Sequence, residues 1–415
     1  GTTLIWDPEI EQWKENPNVH YRDPGEDGDL FELGVVTDGD GGISLDQPQD
    51  IKLVGDIAYV AASNSGLLHA FNISDPINIR LLGSFPVTRV RTLAVKGNYV
   101  YATSSTGIEI VDVSDPANMT SAGLIPISGS LAYISYLALS EDQNTLYHAF
   151  TFSDRLNIFD VTNPTSPTLL GSITDATNLS FPYDIDVKGN YVYVPAFQTD
   201  RFTIIDVSTP ALPTIAASVA HDASAGILLE EASDVSINGD YAYITSQPNT
   251  LAIFDISTPT SPTHLASIGD NTFAPGAFNN SYENGRVYLT NLRDPGGIIT
   301  FDVSDPTNPN IISTFSVPSA EQLVVSGGVL YLAQQNTNKF TTYRVAEDEF
   351  TVESDFVLIN GTQGVGKVLT SDSFGRASWR ANSKLIDGDG DTQIQVEEST
   401  DDDTIRFDTR GAERM

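Results

Sequence analysis

The chain has 415 residues with 55 acidic against 21 basic side chains, a formal net charge of −34, and no cysteine. A surface of that sign repels phosphate backbones and anionic lipid, so it predicts no nucleic-acid partner, and the missing thiols rule out disulfides and thiolate catalysis. No run of about 18 apolar residues occurs, so the sequence predicts no membrane insertion through a helix.

Residues 1–29 carry Trp6, Trp13, Pro8 and Pro17 and read as an irregular cap or linker, with a short helix around residues 8–14 as one option. The chain opens on Gly1 rather than methionine, which a removed signal or a longer parent chain would explain. Residues 30–36 (LFELGVV) give the first strand signal. A repeating unit follows, clearest over residues 93–124. There Leu93 and Val95 alternate, a Lys96-Gly97-Asn98 turn follows, and residues 99–102 and 108–113 are rich in β-branched and aromatic side chains. Asp115-Pro116 stops that third strand, because proline fixes its own φ and gives the ladder no N–H. A weaker fourth strand lies at residues 122–125.

The second-strand tyrosine returns as Tyr59, Tyr101, Tyr147, Tyr193, Tyr243, Tyr288 and Tyr331, at intervals of 42 to 50 residues. The third strand returns as LHAFNI, IEIVDV, LNIFDV, FTIIDV, LAIFDI, IITFDV and FTTYRV. Its aspartate is Asp112, Asp160, Asp206, Asp255 and Asp302, replaced by Asn72 in the first copy and Arg344 in the last. Ahead of a turn, that side chain is expected to cap backbone N–H groups. Four strands in roughly 45 residues, recurring radially, predict an all-β, seven-bladed β-propeller over residues 30–346. Open sheet edges invite non-native pairing, so the ring must close. Residues 30–36 resemble the fourth strands RLLGSF, TLLGSI and HLASI, and are therefore expected to supply the outer strand of the seventh blade. Residues 322–345 would supply its other three.

The third strands, such as Ile108-Glu109-Ile110-Val111-Asp112, resemble the LVIVD repeat family. The resemblance spans about residues 30–345. It implies a secreted or surface propeller of mostly unassigned function and supplies no catalytic residues.

Strand order then sorts the loops. First-to-second and third-to-fourth connections share one face and are the tight KGN, NGD and SGG turns and the proline-containing links. Second-to-third and blade-to-blade connections share the other face, and they vary in length. Rigid scaffolds carry recognition on such loops. Arg91, Arg155, Arg201 and Arg293 fall on this long-loop face, and with so few basic residues in the chain they are the candidate ligand-binding set for a carboxylate or acidic glycan. Pairing with nearby aspartates is the competing reading. No two of His20, His69, His148, His221 and His264 share metal-ligand spacing, and no catalytic residue is predicted.

From residue 347 the repeat stops. Residues 356–415 hold short alternating runs (VLI, KVLT, TQIQVE, TIRFD) between Gly- and Asp-rich turns, with too few apolar residues for a private core. Gly361-x4-Gly366-Lys367 imitates a phosphate loop, but Val368 stands where a Mg²⁺-binding hydroxyl belongs and no helix pattern follows. Asp387, Asp389, Asp391, Gln393, Gln395 and Glu398 match the spacing of a calcium loop, against which Thr392 replaces the turn glycine and TQIQVEE alternates like a strand. Calcium or a solvated turn both stay open there, and no other cofactor is predicted. Residues 361–379, 385–398 and 403–415 resemble repeated segments of trimeric phage tail fibres and of related surface fibres of Bacteroidetes. That resemblance implies an intertwined trimeric β-stalk at residues 347–415, and a natural chain that continues beyond Met415.

Together these readings predict a non-enzymatic extracellular fibre or adhesin subunit, on a cell surface or virion-like particle. A propeller head would present a receptor- or glycan-binding face, and a homotrimeric stalk would join it to a larger assembly. Two alternatives remain: a propeller hydrolase or lyase acting on a surface polysaccharide, which needs paired carboxylates about 5 to 10 Å apart, and a purely structural filament subunit.

Overall fold

The computed structural model describes residues 30–127, 134–270, 272–293 and 296–345 with their side chains, and outside them the backbone of eight strands: Thr2–Asp7, Gln12–His20, Lys367–Ser371, Ala377–Ala381, Lys384–Ile386, Thr392–Val396, Ile405–Thr409 and Ala412–Arg414. The chain divides into two units, one of residues 23–349 and one of residues 1–22 with 350–415.

The larger unit is the seven-bladed propeller. Each blade is a four-stranded antiparallel sheet whose innermost strand comes first in the chain, in six blades built consecutively. Blade 1 runs from Pro48–Val54 to Arg80–Pro86, blade 2 from Leu93–Lys96 to Thr120–Pro126, blade 3 from Ser135–Leu139 to Thr168–Thr174, and blade 4 from Asp186–Lys188 to Thr214–Ala220. Blade 5 runs from Ala232–Asn238 to Thr263–Gly269 and blade 6 from Ala277–Glu283 to Asn310–Ser316. Blade 7 takes Ala320–Ser326, Val329–Gln334 and Lys339–Val345 from the end of the unit, and Leu30–Thr37 from its start. The register runs from Leu30 opposite Val345 to Thr37 opposite Lys339, as the ring-closure argument requires.

Seven hydrophobic clusters among the described residues hold the ring together, each shared by two neighbouring blades. This explains the nearly continuous apolar third strands, since a strand buried on both faces has no polar side to show. Ile108 and Ile110 pack toward blade 3, while Val111 and Val113 pack toward blade 1. All seven repeated tyrosines are buried in these clusters or beside them. The repeated aspartates are Asx caps: Asp112 accepts the Ser114 N–H at 2.9 Å and Asp160 the Thr162 N–H at 2.8 Å, and Asn72 does the same for Ser74. A second sequence signature has a contact reason. A Cβ at Gly34, Gly83 or Gly171 would collide with the carbonyl of Pro76, Pro116 or Pro210 in the next blade. The fourth-strand glycine and the Asp-Pro or Thr-Pro turn are thus two halves of one blade-to-blade joint.

In the smaller unit, the N-terminal expectation is corrected. Thr2–Asp7 and Gln12–His20 are strands that pair antiparallel with Trp6 opposite Trp13, and residues 8–11, where the helix option fell, lie outside the described residues. Aromatic and β-branched residues favour the pleated pairing, and the register shifts between Thr2 and Leu4, within reach of Pro17, which cannot donate to a ladder. In the C-terminal part, Lys367–Ser371 pairs with Ala377–Ala381, and the last four strands make one antiparallel sheet. Lys367 therefore opens a strand, where a phosphate loop would open a helix, while residues 361–366 lie outside the described residues. The strand runs KVLT, TQIQVE and TIRFD are found, paired within one chain. Asp387, Asp389 and Asp391, the proposed calcium ligands, lie outside the described residues, as does the VLI run.

Candidate binding site at the propeller axis

The innermost strands line the axis, and their side chains are what vary between blades. At the long-loop end each blade contributes to the lining of the axis, with Gln49, Arg91, Tyr136, Tyr183, Ser233, Phe278 and Glu321 among the lining residues. Each enters after a bend. Gln47, Arg89, Phe181, Glu231 and Ser319, two residues earlier in five of the blades, have left-handed φ values of 50° to 58°. Such backbone costs about 1–3 kcal/mol for a non-glycine residue and persists only where its surroundings impose it. Here the preceding blade imposes it. Asp154 Oδ1 accepts the Phe181 N–H at 3.1 Å, Asp200 Oδ1 the Glu231 N–H at 2.7 Å, and Asn338 Oδ1 the Gln47 N–H at 3.0 Å.

One residue further along, polar side chains latch neighbouring blades. An innermost strand is a sheet edge, and its free N–H groups need acceptors. Asp50 Oδ2 accepts the Leu93 N–H at 2.7 Å, Asp184 Oδ2 the Val235 N–H at 3.2 Å, and Asn279 Oδ1 the Leu323 N–H at 3.0 Å. Asp234 is fully engaged: Oδ2 takes the Asn280 N–H and Nδ2–H at 2.8 Å each, and Oδ1 takes Asn279 Nδ2–H at 3.0 Å. Thr92 donates to the Ser135 carbonyl at 2.6 Å, and further in Asp186 Oδ2 accepts the Ile237 N–H at 2.8 Å.

Burial sets the charge of these groups. It pushes the carboxyl of Asp186 up to about 6 and those of Asp234 and Glu321 to about 7. Asp184 is raised further, by burial first and then by Asp234, whose carboxyl is in hydrogen-bond contact with it. Lys52 is the counter-charge, 3.4 Å from Asp50; burial disfavours its ammonium, but the surrounding aspartates outweigh that and raise its pKa. The same balance keeps Arg91 firmly charged: burial opposes it, while Tyr136, Glu321 and Tyr183 favour it.

The axis holds two connected spaces. A cavity of about 380 Å³ is lined by Lys52, Asp186, Asn280, Ser281 and apolar residues of the innermost strands. A chamber of about 30 Å³ lies among Gln49, Arg91, Tyr136, Tyr183, Phe278 and Glu321 and shares Lys52, Asp184 and Asp234 with the larger cavity. Aromatic rings close the long-loop end: Tyr183 lies 5.7 Å from Tyr136 and 5.9 Å from Phe278, and stacks on Phe197 at 4.9 Å.

The four arginines expected to act together are not gathered in one place. Arg91 lines the axial chamber. Arg155, Arg201 and Arg293 lie on three separate blades, each bonded within its own blade: to Thr174 at 3.2 Å, Ser218 at 3.3 Å and the Pro275 carbonyl at 3.2 Å. Their hydrogen-bond partners are hydroxyls and a carbonyl, and Arg201 also acts on Asp175, whose carboxyl is held low by Asn178 first and by that charge as well. Sequence reasoning missed Tyr136, Tyr183, Phe278 and Glu321. A signal existed: the lining residue stands ten positions before the repeated tyrosine in every blade except the third, where Tyr136 stands eleven before Tyr147. Among the described histidines His69 is bonded to Ser84 and the Ser44 carbonyl and His264 to Ser267. Among the described residues no three histidine or acidic side chains converge as a metal site, and no helix is long and apolar enough to cross a membrane.

The model of the LVIVD repeat matches residues 47–86, 89–126, 150–175, 183–221 and 231–269, in blades 1 to 5. No curated protein matches the sequence. Among solved structures the chain is similar to a functionally unknown protein from Desulfotomaculum acetoxidans DSM 771 (12% identity, TM-score 0.54, covering 66% of this chain and 86% of that one). It is also similar to the β-propeller domain of Cps50 (Swd1) from Myceliophteria thermophila, at 12% identity and TM-score 0.59, covering 77% of this chain and 100% of that one. The computationally designed Ika8 protein matches at 11% identity and TM-score 0.52 over 91% of this chain and 99% of its own. Identity so low speaks for the fold alone, and with the blade order it makes residues 30–345 a seven-bladed β-propeller, in which blades 1 to 5 carry matches to the LVIVD repeat.

Proposed function

We propose that the protein is a non-enzymatic recognition head, the receptor- or glycan-binding end of an extracellular fibre or adhesin subunit. The observation that carries this reading is what the axial carboxylates already do. Asp50, Asp184, Asp186 and Asp234 accept backbone N–H groups of neighbouring strands, and both oxygens of Asp234 are occupied. A polysaccharide hydrolase needs two free carboxyls held apart around a scissile bond; Asp184 and Asp234 touch one another and are latched. The left-handed bends and the inter-blade caps support a rigid long-loop face, on which Arg155 and Arg293 are exposed. The tail, by its resemblance to fibre segments, is the trimerising attachment to a larger assembly, and the location that goes with this reading is a cell or particle surface.

Binding of the full chain to a glycan array and to whole bacterial or host cells tests the head. Combined Arg155→Ala, Arg201→Ala and Arg293→Ala is expected to weaken binding, while Arg80→Ala with Arg286→Ala on the tight-turn face leaves it unchanged. The opposite pattern overturns the choice of face. Light scattering tests the tail: a trimer for the full chain and a monomer after removal of residues 350–415 are expected, and a monomeric full chain overturns it.

A further inference from the structure

Three buried polar groups meet in the axial chamber without completing one another. Glu321 is 2% exposed and its Oε2 has no hydrogen-bond partner; Tyr136 is 9% exposed and its Oη has none either. Arg91 is close enough to Tyr136 and Glu321 for its charge to be held by both, with a contact to the Tyr136 phenol that leaves Oη without a well-formed hydrogen bond. Leaving such groups unpaired costs about 1–3 kcal/mol each, more when charged. The space between them, about 30 Å³, is the share of one water or one hydroxyl group. Above it stand Tyr183 and Phe278, both partly exposed and edge-to-face.

We propose that this chamber receives one hydroxyl of a neutral carbohydrate, whose ring rests on Tyr183 and Phe278 at the long-loop mouth. The choice of ligand follows from the three groups. An ammonium would donate to Glu321 but meet the charge of Arg91. A carboxylate would pair with Arg91 but meet Glu321. A hydroxyl donates to Glu321 Oε2 while accepting from Arg91, so it completes both, and aromatic faces beside it suit the apolar side of a sugar ring. Gln49 and Gln322, which line the same chamber, add donors and acceptors for neighbouring hydroxyls. This inference deepens the proposed recognition role and rests on it.

Titration calorimetry of the full chain with the methyl glycosides of glucose, galactose and mannose tests it, with glycerol, tetramethylammonium and acetate as controls. Saturable binding of at least one glycoside is expected, with no binding of the two ions. Glu321→Ala should weaken it about tenfold or more, the scale of a hydrogen bond to a charged group. Because Glu321→Ala alters a buried site, Phe278→Ala provides the second variant: Glu321 and Arg91 stay, the apolar platform goes, and binding should again fall. No saturable glycoside binding, binding unchanged in both variants, or a chamber filled by water alone in a crystal soaked with the best glycoside would overturn the proposal. If cell or array binding still depends on the rim arginines while Glu321→Ala has no effect, the recognition face stands and the axial pocket does not.

Discussion

The third strand and the innermost strand of each blade obey different rules. The third strand is buried on both faces, so every copy is held to the same apolar pattern, and Ile110, Ile158, Ile204 and Ile253 are fully enclosed. The innermost strand is a sheet edge facing a cavity, and its positions hold Arg91, Tyr183, Phe278 and Glu321 with no common chemistry. Burial enforces repetition; an axis shared by all blades but filled only once does not. In a repeat protein the individuality of a site therefore sits where the repeats stop agreeing.

That contrast can be broken most forcefully at ring closure. Deleting residues 1–37 removes the strand opposite Lys339–Val345 together with buried Leu30 and Val36, worth about 1.5–3 kcal/mol each before the lost pairing is added. A large drop in melting temperature by calorimetry is expected, and unchanged melting would refute closure by this segment. Phe254→Ala, in a third strand, should cost about 3–5 kcal/mol in urea unfolding. A cost below about 1 kcal/mol would mean that the clusters between blades do not hold the ring. Asp234→Ala should cost less, about 1–3 kcal/mol, because it unlatches Asn279 and Asn280 but also removes a buried carboxyl.

The pH response sharpens the comparison further. The carboxyls of Asp186, Asp234 and Glu321 titrate near 6 to 7 when folded. The folded chain thus keeps protons that the unfolded chain has released, and stability from these groups falls as pH rises from about 4 to 7 and then levels. The exposed Asx aspartates act oppositely: their lowered values give stability that is present above about 4 and lost in stronger acid. Melting temperature should therefore be higher at pH 5 than at pH 8. Glu321→Gln should shrink the difference and Glu230→Gln, on an exposed loop, should not. A flat profile would show that the axial carboxyls are not held as described. The smallest effects belong to Arg155→Ala, Arg201→Ala and Arg293→Ala, each within about 0.5 kcal/mol in stability.

Most of the fold was legible because its signals repeat: the tyrosine, the Asp-capped third strand and the proline turn each recur across the blades, and Leu30–Thr37 betrayed itself by likeness to other fourth strands. The N-terminal hairpin was not, since two prolines and a charged stretch mask its pairing. The site was mostly hidden. Arginines were chosen by scarcity, and Arg91 alone reached the axis; Glu321 and Tyr136 carry no motif, and their meeting depends on blades 3 and 7 curving round to one axis. Counting back ten positions from each tyrosine would have found the axial residue in six blades, though not Tyr136.

The same closing strand has a consequence for how the protein is made. Gly34 bonds to Thr342 across 308 positions of chain. While the protein is being synthesised, residues 30–37 wait without their partner until residue 345 has left the ribosome, at about 5–20 residues per second. Blades 1 to 6 can each assemble from contiguous sequence in that interval, but the seventh cannot. The nascent ring is a horseshoe with two apolar flanks, and the final snap converts a local folding problem into a race against association with other chains.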